Sequence, residues 1–183
     1  AREKGLARVK GGMSEKGHGP ARRQGDKKGL EALMRVVSES LEDSPAEPGK
    51  RKPGPSLKGR LPWPIKGRRA LRFGHRRRPG DLPSQGVTLA AREGAPVHAV
   101  SYGRVAFADW LRGYGMLIIV DHGDGYMSLY GHNQSLYKEA GDWIEPGEVI
   151  ASVGSSGGYD NDALYFEIRK NGRPINPIQW CRR

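Results

Sequence analysis

The sequence is poor in the features that hold small secreted domains together or anchor a chain in a membrane. It has one cysteine, Cys181, in 183 residues, which excludes a disulfide framework or a cysteine metal cluster within one chain. No apolar run approaches the roughly 18 residues that a transmembrane helix needs. The first 60 residues contain no Phe, Trp or Tyr, so that part of the chain has little with which to build a core.

What the sequence does contain is positive charge, glycine and proline. Its net charge is +11, and it has 27 Gly and 13 Pro, a composition that favours turns and short strands over a helical bundle. A basic chain suits anionic partners. The basic run 66–78 carries a single aromatic residue, Phe73, which is poor support for nucleic-acid binding. No nucleic acid is predicted, while an acidic partner surface or an anionic envelope polymer stays open.

The composition changes along the chain. Residues 1–29 are predicted to be a disordered basic tail, and residues 44–60 a Pro/Gly linker. Between them, residues 30–43 are predicted to form a short amphipathic helix, because apolar residues recur at helical spacing: Leu30, Leu33, Met34, Val37 and Leu41. Residues 61–183 show short alternating runs separated by glycine turns. They predict a mainly β domain, either a barrel or a sandwich.

Four segments of this β region resemble the LytM domain, the fold of the lysostaphin-type zinc endopeptidases that cut peptidoglycan cross-bridges. They are "SQGVTLAAREGAPVHAVSYGRVAFADW", "GYGMLIIVDHGDGYMSLYGHNQS", "GDWIEPGEVIASVGSSGG" and "LYFEIRKNGRPINPIQW". They occur in order and with normal spacing over about residues 62–183. The resemblance implies an antiparallel β-sheet domain with a groove over its central sheet.

The resemblance also implies the position of a zinc site, and this sequence lacks the ligands. The family takes them from a His-x-x-x-Asp segment and from the second His of a His-x-His strand. The matching positions here hold Ser84 and Thr88, then Ala163 and Tyr165, and only His132 retains a family catalytic histidine. Ser, Thr and Tyr are poor ligands for zinc. We therefore predict no metal, no cofactor and no catalysis.

A partner-binding groove is predicted in place of the lost active site. Alternation along a strand puts Tyr165 and Arg169 on one face, and Tyr130 and His132 are predicted to share it. Aromatic residues and Arg are the usual anchors of interfaces, although a purely packing role for Tyr165 stays open. The predicted groove residues are Gln85, Thr88, Leu117, Tyr130, His132, Tyr165 and Arg169.

Degenerate domains of this kind are typical of the EnvC-like murein hydrolase activators, which "GRLPWPIKGR", "ADWLRGYG" and "MSLYGHNQS" resemble. This resemblance implies a non-catalytic activator of periplasmic N-acetylmuramoyl-L-alanine amidases, which split septal peptidoglycan so that daughter cells separate. It also implies export, with the signal peptide outside this chain, and a division-machinery recruiter that binds a coiled coil absent from this chain.

The sequence leaves other functions open. We expect the helix 30–43 or its linker to cover the groove when no amidase is bound. The main alternative is a peptidoglycan-binding module without an amidase partner. An active zinc endopeptidase and a lipoyl-type carrier, suggested by "IEPGEVIASVG", are less well supported.

Overall fold

The structure is a computed structural model that describes residues 20–42 and 57–183. The predicted tail residues 1–19 and linker residues 44–56 lie outside this range. An antiparallel sheet of ten strands forms the body, in the order β1-β2-β9-β6-β5-β4-β7, with β10 beside β9 and β3 joined to β6 through β8. The mainly β fold predicted from the sequence is confirmed.

The strands are short and follow one another closely along the chain. They are β1 (Arg68–Leu71), β2 (Val87–Ala90), β3 (Pro96–His98), β4 (Gly103–Leu111), β5 (Gly115–Gly123), β6 (Tyr126–Leu136), β7 (Trp143–Ile144), β8 (Val149–Val153), β9 (Ala163–Lys170) and β10 (Arg173–Ile175). The short helix α2 (Pro177–Trp180) follows β10. Asn171 and Gly172 connect β9 to β10 with φ values of 49° and 79°. Positive φ at both positions is what a two-residue hairpin turn of this sequence requires.

The two faces of the sheet carry two separate apolar clusters, because successive strand residues point to opposite sides. We call the first side the core face. It contains the larger cluster, which includes Ile118, Val120, Tyr130, Leu164 and Phe166. We call the other side the groove face. Its cluster includes Leu117, Ile119, Met127 and Leu129.

A long N-terminal helix, α1, spans Pro20–Glu42, so the prediction of a disordered tail through residue 29 is corrected for residues 20–29. Proline is well suited to the first position of a helix, and the Arg, Gln and Lys residues that follow are good helix formers. This segment has no apolar stripe, which is why periodicity did not reveal it. No helix in the two described ranges is long and apolar enough to cross a membrane.

Helix α1 packs on the groove face of the sheet. Leu30, Met34 and Val37 are 0%, 3% and 5% exposed, and they belong to the same cluster as Leu117 and Leu129. The opposite side of the helix faces solvent, as the 60% exposure of Val36 shows. The predicted amphipathic stripe of residues 30–43 is therefore the side of α1 that contacts the sheet.

Candidate partner-binding groove

Strand β9 supplies the polar centre of the groove face. Phe166 of β9 lies opposite Val87, and both belong to the core-face cluster. Tyr165 lies opposite Thr88 in the same register, so alternation places these two residues on the groove face. Glu167 and Arg169 follow Tyr165 at the same two-residue period.

These three β9 side chains form a buried hydrogen-bonded chain. The Tyr165 hydroxyl donates to Oε1 of Glu167 at 2.8 Å, and Nε of Arg169 donates to Oε2 at 3.2 Å. Glu167 and Arg169 are both 0% exposed. The Arg169 guanidinium also donates to the Gly172 carbonyl at 3.2 Å and to Oε1 of Gln85 at 3.4 Å. A buried guanidinium with this many acceptors is fixed in one orientation.

Electrostatics favour a charged Arg169 and a neutral Tyr165, while burial raises the pKa of the Glu167 carboxyl above its ordinary value. Burial lowers the pKa of Arg169, but the carboxylates of Glu167 and Glu31 outweigh it, so that pKa lies above its ordinary value. The guanidinium is therefore charged. Burial and the neighbouring Glu167 raise the pKa of Tyr165 well above its ordinary value. Tyr165 consequently acts as a neutral hydroxyl donor.

His132 lies at one end of the groove within an aromatic stack. Its ring stacks on Tyr159 with centroids 4.5 Å apart and meets the edge of Tyr165 at 6.2 Å. Its Nδ1 lies 2.7 Å from the Ser156 carbonyl oxygen, which can only accept, so Nδ1 carries the proton. Burial lowers the pKa of His132 to about 4, and the ring is neutral at neutral pH. The guanidinium of Arg77 lies 4.6 Å from the centre of the Tyr159 ring.

Tyr130 does not lie in the groove, which corrects the sequence-based prediction. It is 0% exposed, its ring lies 5.5 Å from Phe166 on the core face, and its hydroxyl bonds Ser128 at 2.8 Å. Between Tyr130 and Asn133, strand β6 has one more residue than β5 provides opposite it. His132 adopts φ 61° within this bulge. Because a bulge interrupts alternation, Tyr130 and His132 point to opposite faces although they are two residues apart.

The positions predicted from the resemblance to match zinc ligands of the LytM family, Ser84, Thr88, Ala163 and Tyr165, lie in and beside β2 and β9. The Ser84 hydroxyl donates to the Gly86 carbonyl in the loop before β2 at 2.8 Å. Thr88 is buried opposite Tyr165, and Ala163 lies opposite Ala90. In residues 20–42 and 57–183, no group of three or more His, Cys, Asp or Glu side chains is placed to hold a metal ion. This donor set does not fit zinc, which requires imidazole, thiolate or carboxylate ligands.

Helix α1 covers part of the groove face. Leu117, predicted as a partner anchor, is 0% exposed beneath it. Oε1 of Glu31 accepts from the Arg169 guanidinium at 2.8 Å, and Oδ1 of Asp26 accepts from Nε of Arg112 at 3.0 Å. Gly113 allows this approach, since a Cβ there would lie 2.5 Å from the Asp26 carboxylate. Tyr165 stays partly exposed.

Three groove residues were not found from the sequence. Glu31 directly follows Leu30, which belongs to the apolar stripe of α1. This position beside the stripe was the only sign in the sequence that Glu31 could reach the sheet. Tyr159 lies in a loop whose fold the sequence does not specify. Tyr114, whose ring lies 5.8 Å from Tyr165, follows a glycine turn outside the alternating runs.

Comparison with known proteins reveals similarity to one peptidase family and to relatives named murein hydrolase activators. The model of peptidase family M23 matches residues 82–177. "Murein hydrolase activator EnvC" of Escherichia coli (strain K12) is 45% identical over 126 residues, which cover 69% of this chain and 30% of that protein. "Lipoprotein NlpD/LppB homolog" of Pseudomonas aeruginosa is 40% identical over 131 residues, covering 71% of this chain and 42% of that protein. The chain thus spans less than half the length of these two relatives.

The fold comparison agrees with the sequence comparison. The catalytic domain of lysostaphin from Staphylococcus simulans superimposes with a TM-score of 0.54 at 25% identity. The match covers 62% of this chain and 90% of that domain. The resemblance to the LytM domain and to murein hydrolase activators is confirmed at the level of family and fold.

Proposed function

The chain belongs to peptidase family M23, and from this premise we propose that it is a non-catalytic activator of periplasmic N-acetylmuramoyl-L-alanine amidases. The activated amidases split septal peptidoglycan so that daughter cells separate. The relative named a murein hydrolase activator supports an activator role, and the relative named a lipoprotein is consistent with the cell envelope. Activation proceeds by binding the amidase in the groove.

The donor atoms at the positions predicted to match the family's zinc site support the proposal that the chain is not catalytic. Ser84 and Thr88 offer hydroxyls, Ala163 offers no donor atom, and Tyr165 is a neutral phenol bonded to Glu167. None is a ligand for which zinc has useful affinity. His132 alone, with its Nδ1 proton directed at a carbonyl, has no activated water to act on.

The observation that carries the proposal is the docking of helix α1 on the groove face. Leu30, Met34 and Val37 cover its apolar floor, and Glu31 reaches the buried Arg169. A surface that accepts an amphipathic helix with an acidic residue beside its apolar stripe fits a second helix of the same pattern. We infer that a helical segment of the amidase takes the place of α1, with Leu117, Tyr165 and Arg169 as its main contacts.

Helix α1 then sets the threshold for activation. Burial of an aliphatic side chain contributes about 1.5–3 kcal/mol, and three such side chains on α1 are buried. Tethering gives α1 an effective concentration on the order of millimolar. A partner displaces it only through its higher affinity for the open groove. The apparent affinity for amidase is therefore lowered by the fraction of chains in which α1 is docked.

Dye release from labelled sacculi tests this function. The assay compares the full chain alone, an N-acetylmuramoyl-L-alanine amidase alone, and the two together. We expect release above the amidase's own level only when both proteins are present. Release by the chain alone would identify an enzyme. Binding to sacculi without stimulation of any amidase would instead favour the peptidoglycan-binding module.

A further inference from the structure

A run of exposed arginines lies at one end of the groove and is not explained by the contacts described so far. We call residues 72–78 the arginine loop. Its arginines, Arg72, Arg76, Arg77 and Arg78, are all exposed, and no salt bridge is recorded for them among the described residues. The nearby Asp81 accepts from the Arg78 backbone N–H at 3.1 Å and is only 7% exposed.

The arginine loop is joined to the groove through aromatic contacts. Arg77 lies over the ring of Tyr159, Tyr159 stacks on His132, and His132 meets the edge of Tyr165. Tyr165 in turn bonds Glu167 at the centre of the groove face. Backbone hydrogen bonds from Gly74 to Ser84 and from Ser84 to His75 close the base of the loop, at 2.7 and 2.8 Å. The arginine loop thus contacts the aromatic end of the groove face through Arg77 and Tyr159.

The groove already binds its occupant through arginine–carboxylate pairs. Helix α1 places Asp26 on Arg112 and Glu31 on Arg169. Neither ion pair involves the arginine loop. Among the described side chains, Arg112 and Arg169 thus pair with carboxylates of α1, and no such pair is found for the four arginines of the arginine loop.

We propose that the arginine loop is a second docking point for the protein that displaces α1, and that it binds an acidic segment adjoining the helix that enters the groove. This inference rests on the proposed function. Arginine guanidinium groups pair with carboxylates in a bidentate way, and like-signed clusters at the rim of an interface accelerate encounter with a partner of opposite charge. A polymer of the wall would contact the same charges without depending on the groove, and the test separates the two.

The test uses two full-length variants with equal changes in charge. The loop variant is R72E/R76E/R78E, which keeps Arg77 over Tyr159. The control is R92E/R173E/R183E, at three exposed arginines outside the loop. Each replacement changes the charge by −2, so three lower the net charge of both variants from +11 to +5. A milder variant, R72Q/R76Q/R78Q, removes the three charges without reversing them, and it keeps the test valid if the charge-reversed loop misfolds.

The measurement is the association rate with an amidase that the wild-type chain stimulates, at ionic strengths of about 0.02 M and 0.3 M. We expect the loop variant to associate about tenfold more slowly at low salt, with a flatter salt dependence and unchanged maximal stimulation. The Gln variant should show a smaller loss in the same direction. The control should stay within about twofold of the wild type.

Two results would overturn the inference while leaving the proposed function intact. One is equal association rates for the loop variant and the control. The other is a loop variant that loses only its cosedimentation with sacculi, because the arginines would then bind the wall polymer. Failure of the wild-type chain to stimulate any amidase would remove the proposed function, and this inference with it.

Discussion

The two faces of the sheet are both buried, but by different means. On the core face, Ile118, Tyr130 and Phe166 are 0% exposed within a cluster built from the strands and adjoining loops. On the groove face, Leu117 and Leu129 are equally buried, and α1 contributes to their cluster. The core face is thus covered by the β domain itself, and the groove face by a separate helix.

The two faces also differ in the polar groups that they bury. The core face buries the neutral hydroxyl of Tyr130, which accepts from the Val100 N–H and bonds Ser128. The groove face buries a charged Arg169 paired with Glu167 and Glu31. Buried charge is costly unless it is paired, and removal of α1 takes away Glu31 while Glu167 stays paired with Arg169. The proposed exchange of α1 for a helix of the amidase therefore concerns the groove face and not the core face.

The largest effect is expected from a substitution on the core face. Phe166→Ala should lower the free energy of unfolding by about 4 kcal/mol, because it leaves a cavity in the central cluster. Urea denaturation followed by Trp fluorescence measures this, since α1 has no Trp and all four lie in the β domain.

Leu30→Ala is the matched control, because Leu30 is also 0% exposed but lies on α1. Its cost in the same experiment is limited to the free energy with which α1 docks. Equal losses for Phe166→Ala and Leu30→Ala would show that α1 is part of the permanent core, which would contradict the comparison.

The second effect concerns the buried charges of the groove face. Arg169→Met should lower the free energy of unfolding by about 3 kcal/mol, because it leaves Glu167 buried without its cation. Adding Glu167→Gln should recover part of this loss. A loss of less than about 1 kcal/mol for the single variant would mean that the Glu167–Arg169 pair is not desolvated as described.

The third effect is a pH dependence at the aromatic end of the groove. The pKa of His132 is lowered to about 4 by burial, so the unfolded chain binds a proton between pH 6.5 and 4 that the folded chain excludes. The contribution of the neutral His132 ring to the free energy of unfolding is fully present above pH 6.5 and is lost as pH falls from 6.5 towards 4. We expect a loss of about 2 kcal/mol between pH 7 and pH 4.5 from this group.

His132→Asn is the control for this pH dependence, since Asn tolerates the positive φ of this position. The difference in unfolding free energy between the wild type and His132→Asn should shrink as pH is lowered. A difference that does not change with pH would show that His132 is accessible to protons in the folded chain.

The smallest effect is functional. Leu30→Asp places a charge in the α1 contact and should detach the helix from the groove face. The concentration of the chain that half-maximally activates the amidase should then fall about tenfold, which corresponds to about 1.4 kcal/mol of binding free energy. Maximal stimulation should not change, because the groove itself is intact. Val36→Asp, at a position 60% exposed on the same helix, should behave like the wild type. Equal activation curves for all three proteins would exclude α1 as a competitor.

Period-two alternation was sufficient to predict that Tyr165 and Arg169 share one face of β9. Thr88 lies on the same face as Tyr165, because β2 pairs with β9 without a bulge and Thr88 is opposite Tyr165. Alternation failed for Tyr130, since the bulge at Gly131 and His132 reverses the side-chain direction. A glycine inside a strand pattern is the sequence signal for such a bulge, and "LYGHN" contains it.

Long-range contacts explain the parts of the site that the sequence did not reveal. The first half of α1 has few apolar residues, and its Asp26 contact with Arg112 joins positions 86 residues apart. Glu31 and Arg169 are separated by 138 residues. Local propensity and periodicity carry no information about such pairs, so these two contacts could only be seen in the folded chain, whereas the covering of the groove face by the helix was expected from the sequence.

Hydrogen exchange of α1 with and without amidase tests the central claim most directly. In the chain alone, the α1 backbone amides should exchange slowly because the helix is docked. If the amidase takes its place, α1 should exchange much faster when amidase is added, while β9 and its neighbours in the groove exchange more slowly. Unchanged or slower exchange in α1 on addition of a stimulated amidase would show that the enzyme binds elsewhere, and would contradict the account.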